Sequence, residues 1–413
     1  MRIFALNCFQ SPIQVPVSQR FDLDLTSLTS GLEHRVQLFP WEKNAFPTAE
    51  NWPRDKWLLS SAVQKLIRRG QAETAVSAAL ALHHIEPRYL PRRLPIIALE
   101  DVGIGGIDAC VETVTAFCAG RSMRLRPPEE QRRTIAYLVV RLARAEKSRA
   151  ACDLLSLASA TQLDSTEIKS VALLDAGSLT DVATDCTSDL VSRVNALRVL
   201  SGLTLLEAGS HRTLTRRSHH ALLRVAERTA SPSAIVWLVE LGRYTEGLAA
   251  MLPLVFEKIR GDTAFLRSEG LQSPALDRAG AALDGFPLMA ADQYTRVGRE
   301  VFRRLMAQSS ALRDALARWA PRADAVKLIG MALFHTEGSR LDRWITTDWL
   351  EELRERTEEA ELLQLRLLDR SGRKPLYELL ECHAGEISTL RREVLSSVTG
   401  TASEDRQERF HGF

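Results

Sequence analysis

The chain has 413 residues, 45% of them hydrophobic and 26% charged, with a formal net charge of +2. That length supports two or three domains and a sizeable core. The near-neutral balance excludes a protein that is polycationic throughout, so any nucleic-acid surface must be local.

Residues 1–50 differ from the rest. Met1–Phe9, Ile13–Val17 and Arg35–Phe39 are short, partly β-branched or alternating runs separated by Ser, Pro and Gly. They predict an N-terminal extended or β arm that either folds back on the chain or lies across a partner. Gln10, Pro12, Gln14 and Pro16 break the apolar run, so the segment does not read as a signal peptide.

From about Pro53 the apolar spacing becomes helical. Trp57, Leu58, Ala62, Val63, Leu66 and Ile67 recur three and four apart, and Gly70 supplies a stop. Ala72–His84 predicts a second helix and Arg92–Val102 a third, with Pro95 in its first turn or kinking it. Helices are expected over Val111–Cys118, Glu129–Lys147 and Ala150–Ala160. Further ones are expected over 164–176, 188–208, 218–229, 232–259, 291–319, 322–335, 347–369 and 374–396. A polar, mobile tail is expected from Thr399. No strict repeat period supports a solenoid.

Several features of residues 55–155 occur in a telling order. They are Ser61-Ala62-x-Gln64-Lys65-x-Ile67-Arg68, the Ala75–Leu80 helix, Tyr89-Leu90-x-Arg92-Arg93-Leu94, Ala98-x-Glu100-Asp101-Val102-Gly103, Pro128-Glu129 and Lys147-Ser148. This segment resembles the C-terminal helical domain of the MgsA/RarA family of AAA+ ATPases, which are clamp-loader relatives linked to replication and recombination. The resemblance covers about a quarter of the chain and fades after residue 160. It implies a helical collar-type domain that self-associates or contacts replication proteins. It does not extend to the ATPase module, since the sequence holds no Gly-x-x-x-x-Gly-Lys-Ser/Thr phosphate cradle.

The fold class expected is mainly α. A clamp-loader-collar-like multi-helical domain (51–160) would follow the arm (1–50). A helical continuation (161–285), a C-terminal helical region (286–397) and the tail (398–413) complete the chain. Arg92, Arg93, Glu100 and Asp101 read as structural or oligomerisation residues that pair with neighbouring helices. Arg93 and Glu100, seven apart, are read as too distant to pair with each other.

Two arginine groups are candidates for nucleic-acid contact. Residues 121–149 carry nine basic against three acidic residues, including Arg121, Arg124, Arg126, Arg133, Arg141 and Arg144. On a helical wheel Ile135, Leu138, Val139 and Leu142 share one face. Arg133, Tyr137, Arg141 and Arg144 share the other, a basic stripe with one ring suited to phosphate contact and base stacking. The second group is Arg296, Arg299 and Arg303, flanked by Arg304. The alternative for both is a solvated face or internal pairing, for the second group with the acidic run 348–361.

Catalysis has little footing. No nucleophile has an orienting base and acid, and the adjacent pairs His83-His84 and His219-His220 diverge on a helix and do not chelate one metal easily. The six cysteines form no Cys-x-x-Cys pair and read as reduced, mostly buried thiols of a cytoplasmic protein. No apolar run reaches the roughly 18 residues that a membrane span needs. Trp41, Trp52, Trp57, Trp344 and Trp349 read as core or domain-joining anchors.

These observations point to a non-enzymatic, DNA-associated oligomerisation or scaffold subunit without cofactor or metal. Its expected partners are a homo-oligomer or larger complex and single-stranded or duplex DNA. The alternative is a helical protein–protein adaptor without nucleic-acid contact.

Overall fold

Many helix starts are set by side-chain caps. Asp55 accepts from the Trp57 and Leu58 amides, Asp175 from Gly177 and Ser178, Asp189 from Ser192, Thr295 from Gly298 and Thr347 from Leu350. Each cap satisfies an amide that the first helical turn leaves without a partner. The computed structural model describes residues 25–41, 46, 49–118, 126–161, 170–171, 173–203, 219–242, 245–262, 265–268, 282–367 and 370–410.

The fold is mainly α. In chain order the helices are α1 (Leu25–Leu38), α2 (Lys56–Arg68), α3 (Ala72–Ile85), α4 (Leu90–Ile97), α5 (Ile107–Cys118), α6 (Pro128–Arg144) and α7 (Ala150–Ala160). Then come α8 (Ala176–Thr184), α9 (Leu190–Leu200), α10 (His219–Arg228), α11 (Ser233–Leu241) and α12 (Leu248–Ile259). The last are α13 (Arg296–Gln308), α14 (Ser310–Trp319), α15 (Ala325–Leu333), α16 (Asp348–Gln364), α17 (Arg373–Cys382) and α18 (Ala384–Phe410). A π turn, Ala98–Val102, follows α4, and a second, Phe334–Gly338, follows α15.

The α1 helix replaces the strand expected over Arg35–Phe39. Leu28, Leu32 and Val36 are four apart, and Leu32 and Val36 are buried on the core. That stripe packs α1 on α5 and α6 and outweighs the local β-branched composition. The other two runs expected to form the arm, Met1–Phe9 and Ile13–Val17, lie outside the described residues. The helix expected over 164–176 lies largely outside them too.

Long expected helices are divided in three places. Residues 232–259 break around Gly242 and Gly247, 291–319 at Ser309, and 374–396 at His383. At the far end α18 runs on to Phe410, past the expected stop near Ser397.

The α2, α3 and α6 helices pack together, and α7 lies against α12 and α16. The short strand β1 (Phe265–Ser268) pairs antiparallel with β4 (Arg343–Thr346), and β2 (Ala282–Leu283) pairs with β3 (Phe286–Pro287). The Lys147 backbone joins β4 from the other side. Its N–H donates to the Arg343 carbonyl at 2.8 Å, and its carbonyl accepts from the Ile345 N–H at 3.1 Å. Lys147 is thus stitched to a strand about two hundred residues later in the chain.

Next to this junction, a glycine permits a second close backbone approach. Gly103 has φ +48°, and a Cβ there would lie 2.7 Å from the Ser148 carbonyl oxygen. The Ser148 N–H donates back to the Asp101 and Val102 carbonyls at 3.2 and 3.0 Å. Only a residue without Cβ allows this backbone contact at that φ.

Candidate nucleic-acid interface and the buried ionic network

On α2, Ser61, Gln64, Lys65 and Arg68 follow the i, i+3, i+4, i+7 spacing that puts side chains on one helical face. Unusually, this polar face points inward. Lys65 and Arg68 are buried, as is Asp101 on the first π turn. Asp101 accepts from Arg68 Nε at 2.5 Å, Arg149 Nη1 at 2.7 Å and Gln64 Nε2 at 2.9 Å. Glu100 lies beside it, 3.2 Å from Arg68 Nη2 and 3.7 Å from Arg149 Nη1. The Phe334 ring is faced by both guanidinium groups, with Arg68 Cζ at 5.4 Å and Arg149 Cζ at 5.3 Å from its centroid.

The network continues into the C-terminal helices. Lys65 Nζ reaches Asp292 Oδ2 at 2.7 Å and the Met289 carbonyl at 2.5 Å, and Ser61 Oγ donates to Asp292 Oδ2 at 2.8 Å. Arg68 Nη1 donates to the Gly338 carbonyl at 2.7 Å. On α18, Arg391 grips Glu337 through both terminal nitrogens, at 2.9 and 3.0 Å.

Burial alone pushes Asp101 up, but Arg68 and Arg149 outweigh it and hold the carboxyl below its ordinary value. Glu337 is likewise held low, since Arg391 overcomes the effect of burial. Burial dominates for Lys65, whose pKa falls despite Asp292. It also brings Lys147 down to about 8.

Among the residues expected to be structural, Arg93, Glu100 and Asp101 belong to this network, whereas Arg92 is exposed. The expectation that Arg93 and Glu100 cannot pair is corrected. Arg93 Nη2 lies 3.5 Å from Glu100 Oε2 and donates to Gln64 Oε1 at 2.7 Å. Two extended side chains bridge the two turns. The second turn is a wider π turn, three residues after Pro95, which has no N–H for the helical ladder.

The first basic stripe is largely consumed within the fold. Tyr137 is 4% exposed, its hydroxyl donates to Glu112 Oε2 at 3.0 Å, and Phe39 packs edge-on at 5.7 Å. It is not the free stacking ring expected from the wheel. Glu112 also pairs with Arg141 at 3.2 Å and with Arg35 of α1 at 2.9 Å. Arg126 pairs with Glu33 at 2.5 Å. The physical reason is α1, which covers a face that an extended arm would have left open. Arg144 remains exposed and Arg133 half-buried, with no carboxylate partner among the described residues. Arg121 and Arg124 lie outside the described residues.

The second stripe faces solvent. Val297, Val301, Phe302 and Leu305 bury one side of α13, while Arg296, Arg299, Arg303 and Arg304 are exposed on the other. Glu300 holds Arg303, and Arg304 at 3.0 Å. Arg296 and Arg299 have no carboxylate partner among the described residues. Among the described residues the acidic run of α16 forms its observed ion pairs elsewhere than with this stripe. Its Glu361 is 3.0 Å from His335 Nε2, Glu352 is 3.5 Å from Arg356 and Glu358 is 3.7 Å from Arg373. Gly298 serves a backbone approach, because a Cβ there would lie 1.9 Å from the Asp292 carbonyl oxygen.

Over residues 293–330 the chain carries eight Arg and Lys against three Asp and Glu, and all eight basic side chains are exposed. Arg313 donates to the Met306 and Ala307 carbonyls at 2.7 and 2.8 Å, at the end of α13. Arg318 stands over Trp319, 5.8 Å from the ring centroid.

A polar cleft of about 410 Å³ lies between α7, the second π turn and α16, lined among others by Arg149, Asp153, His335, Trp344, Arg354 and Glu361. Burial pushes Asp153 up to about 6, against the pull of Arg149. Among the described residues no group of His, Cys, Asp and Glu is placed to hold a metal ion, and no helix is long and apolar enough to cross a membrane. Cys110 is buried, but Cys186 and Cys382 are exposed, contrary to the expectation of mostly buried thiols.

Sequence reasoning missed Asp292, the far partner of the α2 face, and the neighbouring Glu337–Arg391 pair. A signal was present, because Lys65 and Arg68 share one helical face with Ser61 and Gln64 in a helix whose other sides are largely apolar. Comparison with protein-family models, curated proteins and solved structures found no match.

Proposed function

We propose that the chain is a non-catalytic helical scaffold of a DNA-associated assembly that contacts the polyanion through α13 and α14. The observation that carries this reading is the exposure of all eight basic side chains over 293–330, with Arg296 and Arg299 lacking carboxylate partners among the described residues. Phosphate contact releases condensed counterions, and such a surface suits it without any base-specific geometry. The collar-like resemblance supports the same reading. Its Gln64, Lys65, Arg68, Glu100 and Asp101 hold a rigid ionic core rather than a reactive site.

The test is a titration of the protein with single-stranded, duplex and forked DNA at several salt concentrations. About four to six phosphate contacts give a log–log slope of roughly −3 to −5. Triple charge reversal at Arg296, Arg299 and Arg303 should make the slope shallower by about 2 to 3. Reversal at Arg133 and Arg144 should change it less. Binding that keeps its slope in the triple variant sinks the assignment of this face, and no binding at low salt sinks the DNA reading in favour of a protein-only adaptor.

A further inference from the structure

Trp57 differs from its neighbours in α2. Leu58, Leu59, Ala62 and Val63 are buried, yet Trp57 is 50% exposed in the first turn of the helix. Of the core or domain-joining roles expected for the tryptophans, the core one fits Trp52 and not Trp57. Trp52 is buried, donates to the Asp284 carbonyl at 3.0 Å and packs on Phe286.

The Trp57 ring stands against Tyr89, with centroids 5.8 Å apart and planes at 78°. Lys56 Nζ lies 5.2 Å from the Trp57 centroid and 5.8 Å from that of Tyr89. Arg54, Arg88 and Arg92, next to these rings in sequence, are all exposed. Among the described residues none of the three has a carboxylate partner. Two acids are also near. Asp55 is engaged by the Trp57 and Leu58 amides at 2.7 and 3.0 Å, and Glu86 precedes Tyr89 by one turn.

We propose that Trp57 and Tyr89 form a base-stacking platform for single-stranded nucleic acid, with Arg54, Arg88 and Arg92 meeting the phosphates. An aromatic pair flanked by cations is complementary to a strand that offers unstacked bases and negative charge together. A duplex hides its base faces and would use only the cations. One turn beyond Trp57 on α2, Ser61 donates to Asp292, four residues before Arg296. This inference rests on the nucleic-acid reading above and adds the form of the ligand.

The experiment measures anisotropy of three labelled probes with the full chain: a mixed-sequence 20-mer strand, the same strand abasic throughout its interior, and the 20-bp duplex. Proteins are the wild type, Trp57→Ala, Trp57→Phe and the α13 triple reversal, each checked for an unchanged melting profile. Trp57→Ala should weaken binding of the base-bearing strand about 10-fold or more. It should leave the abasic strand, the duplex and the salt slope nearly unchanged. Trp57→Phe should restore most of the loss, and the triple reversal should weaken all three probes.

Equal effects of Trp57→Ala on all three probes, or no effect on any, overturn the platform while leaving the α13 reading in place. Polyglutamate competing as well as the strand also overturns it, because the surface would then be a general anion site. Failure of the wild type to bind any probe at low salt removes both readings.

Discussion

Replacing Asp101 by Asn tests whether the buried ionic network holds the fold through charge rather than shape. The side chain is fully buried and accepts from Gln64, Arg68 and Arg149. An amide keeps the volume but leaves the two guanidinium groups sharing Glu100, at 3.2 and 3.7 Å, with Asp153 a further 3.9 Å neighbour of Arg149. Breaking a buried pair by removing one partner costs about 3–5 kcal/mol. At about 2 °C per kcal/mol for a large cooperative unit, Asp101→Asn should lower the melting temperature by roughly 6–10 °C. Urea unfolding should show a lower midpoint with little change in slope. Because the folded carboxyl is held below its ordinary value, its contribution is complete above the unfolded value of about 3.9. It is lost as pH falls through the lower folded value, so wild type and variant should converge in acid. A midpoint shift worth less than about 1 kcal/mol at pH 7 would refute this account.

Two further outcomes follow from burial. Lys147 is depressed to about 8 by burial. Between that value and the ordinary lysine value of about 10.4 the unfolded chain binds more protons, so stability should rise with pH across this window. Denaturant melts from pH 7.5 to 10.5 should show that rise in the wild type, with a smaller one in Lys147→Met. Asp153 is raised to about 6 by burial, so it contributes stability below the unfolded value near 3.9 that is lost as pH rises through 6. Asp153→Asn should therefore stabilise the protein at pH 7, by up to about 3 kcal/mol, and destabilisation in a melt at that pH would contradict the assignment.

Much of the helical architecture is legible in the sequence because helix formation is local. Apolar spacing, caps and prolines mark α2 to α7 and most later helices within a few residues. The buried sides of α6 and α13 follow from the same periodicity, as does the solvent face of Arg296, Arg299 and Arg303. Periodicity also carries the information for α1 in Leu28, Leu32 and Val36, where β-branched neighbours pointed the other way.

Tertiary structure decided which charges remain available. A helical wheel puts Tyr137 and Arg141 opposite the core, but it cannot show that α1 and Glu112 occupy that side. It likewise cannot show that Lys65 and Arg68 meet Asp292 and Asp101, or that Arg391 meets Glu337, because those partners are separated by up to 227 residues. The sequence by itself determined the helices and their amphipathic faces, since both depend on interactions within a few turns. Only the packed chain decided which arginines are neutralised inside and which face solvent, since burial and ion pairing depend on what other elements bring alongside.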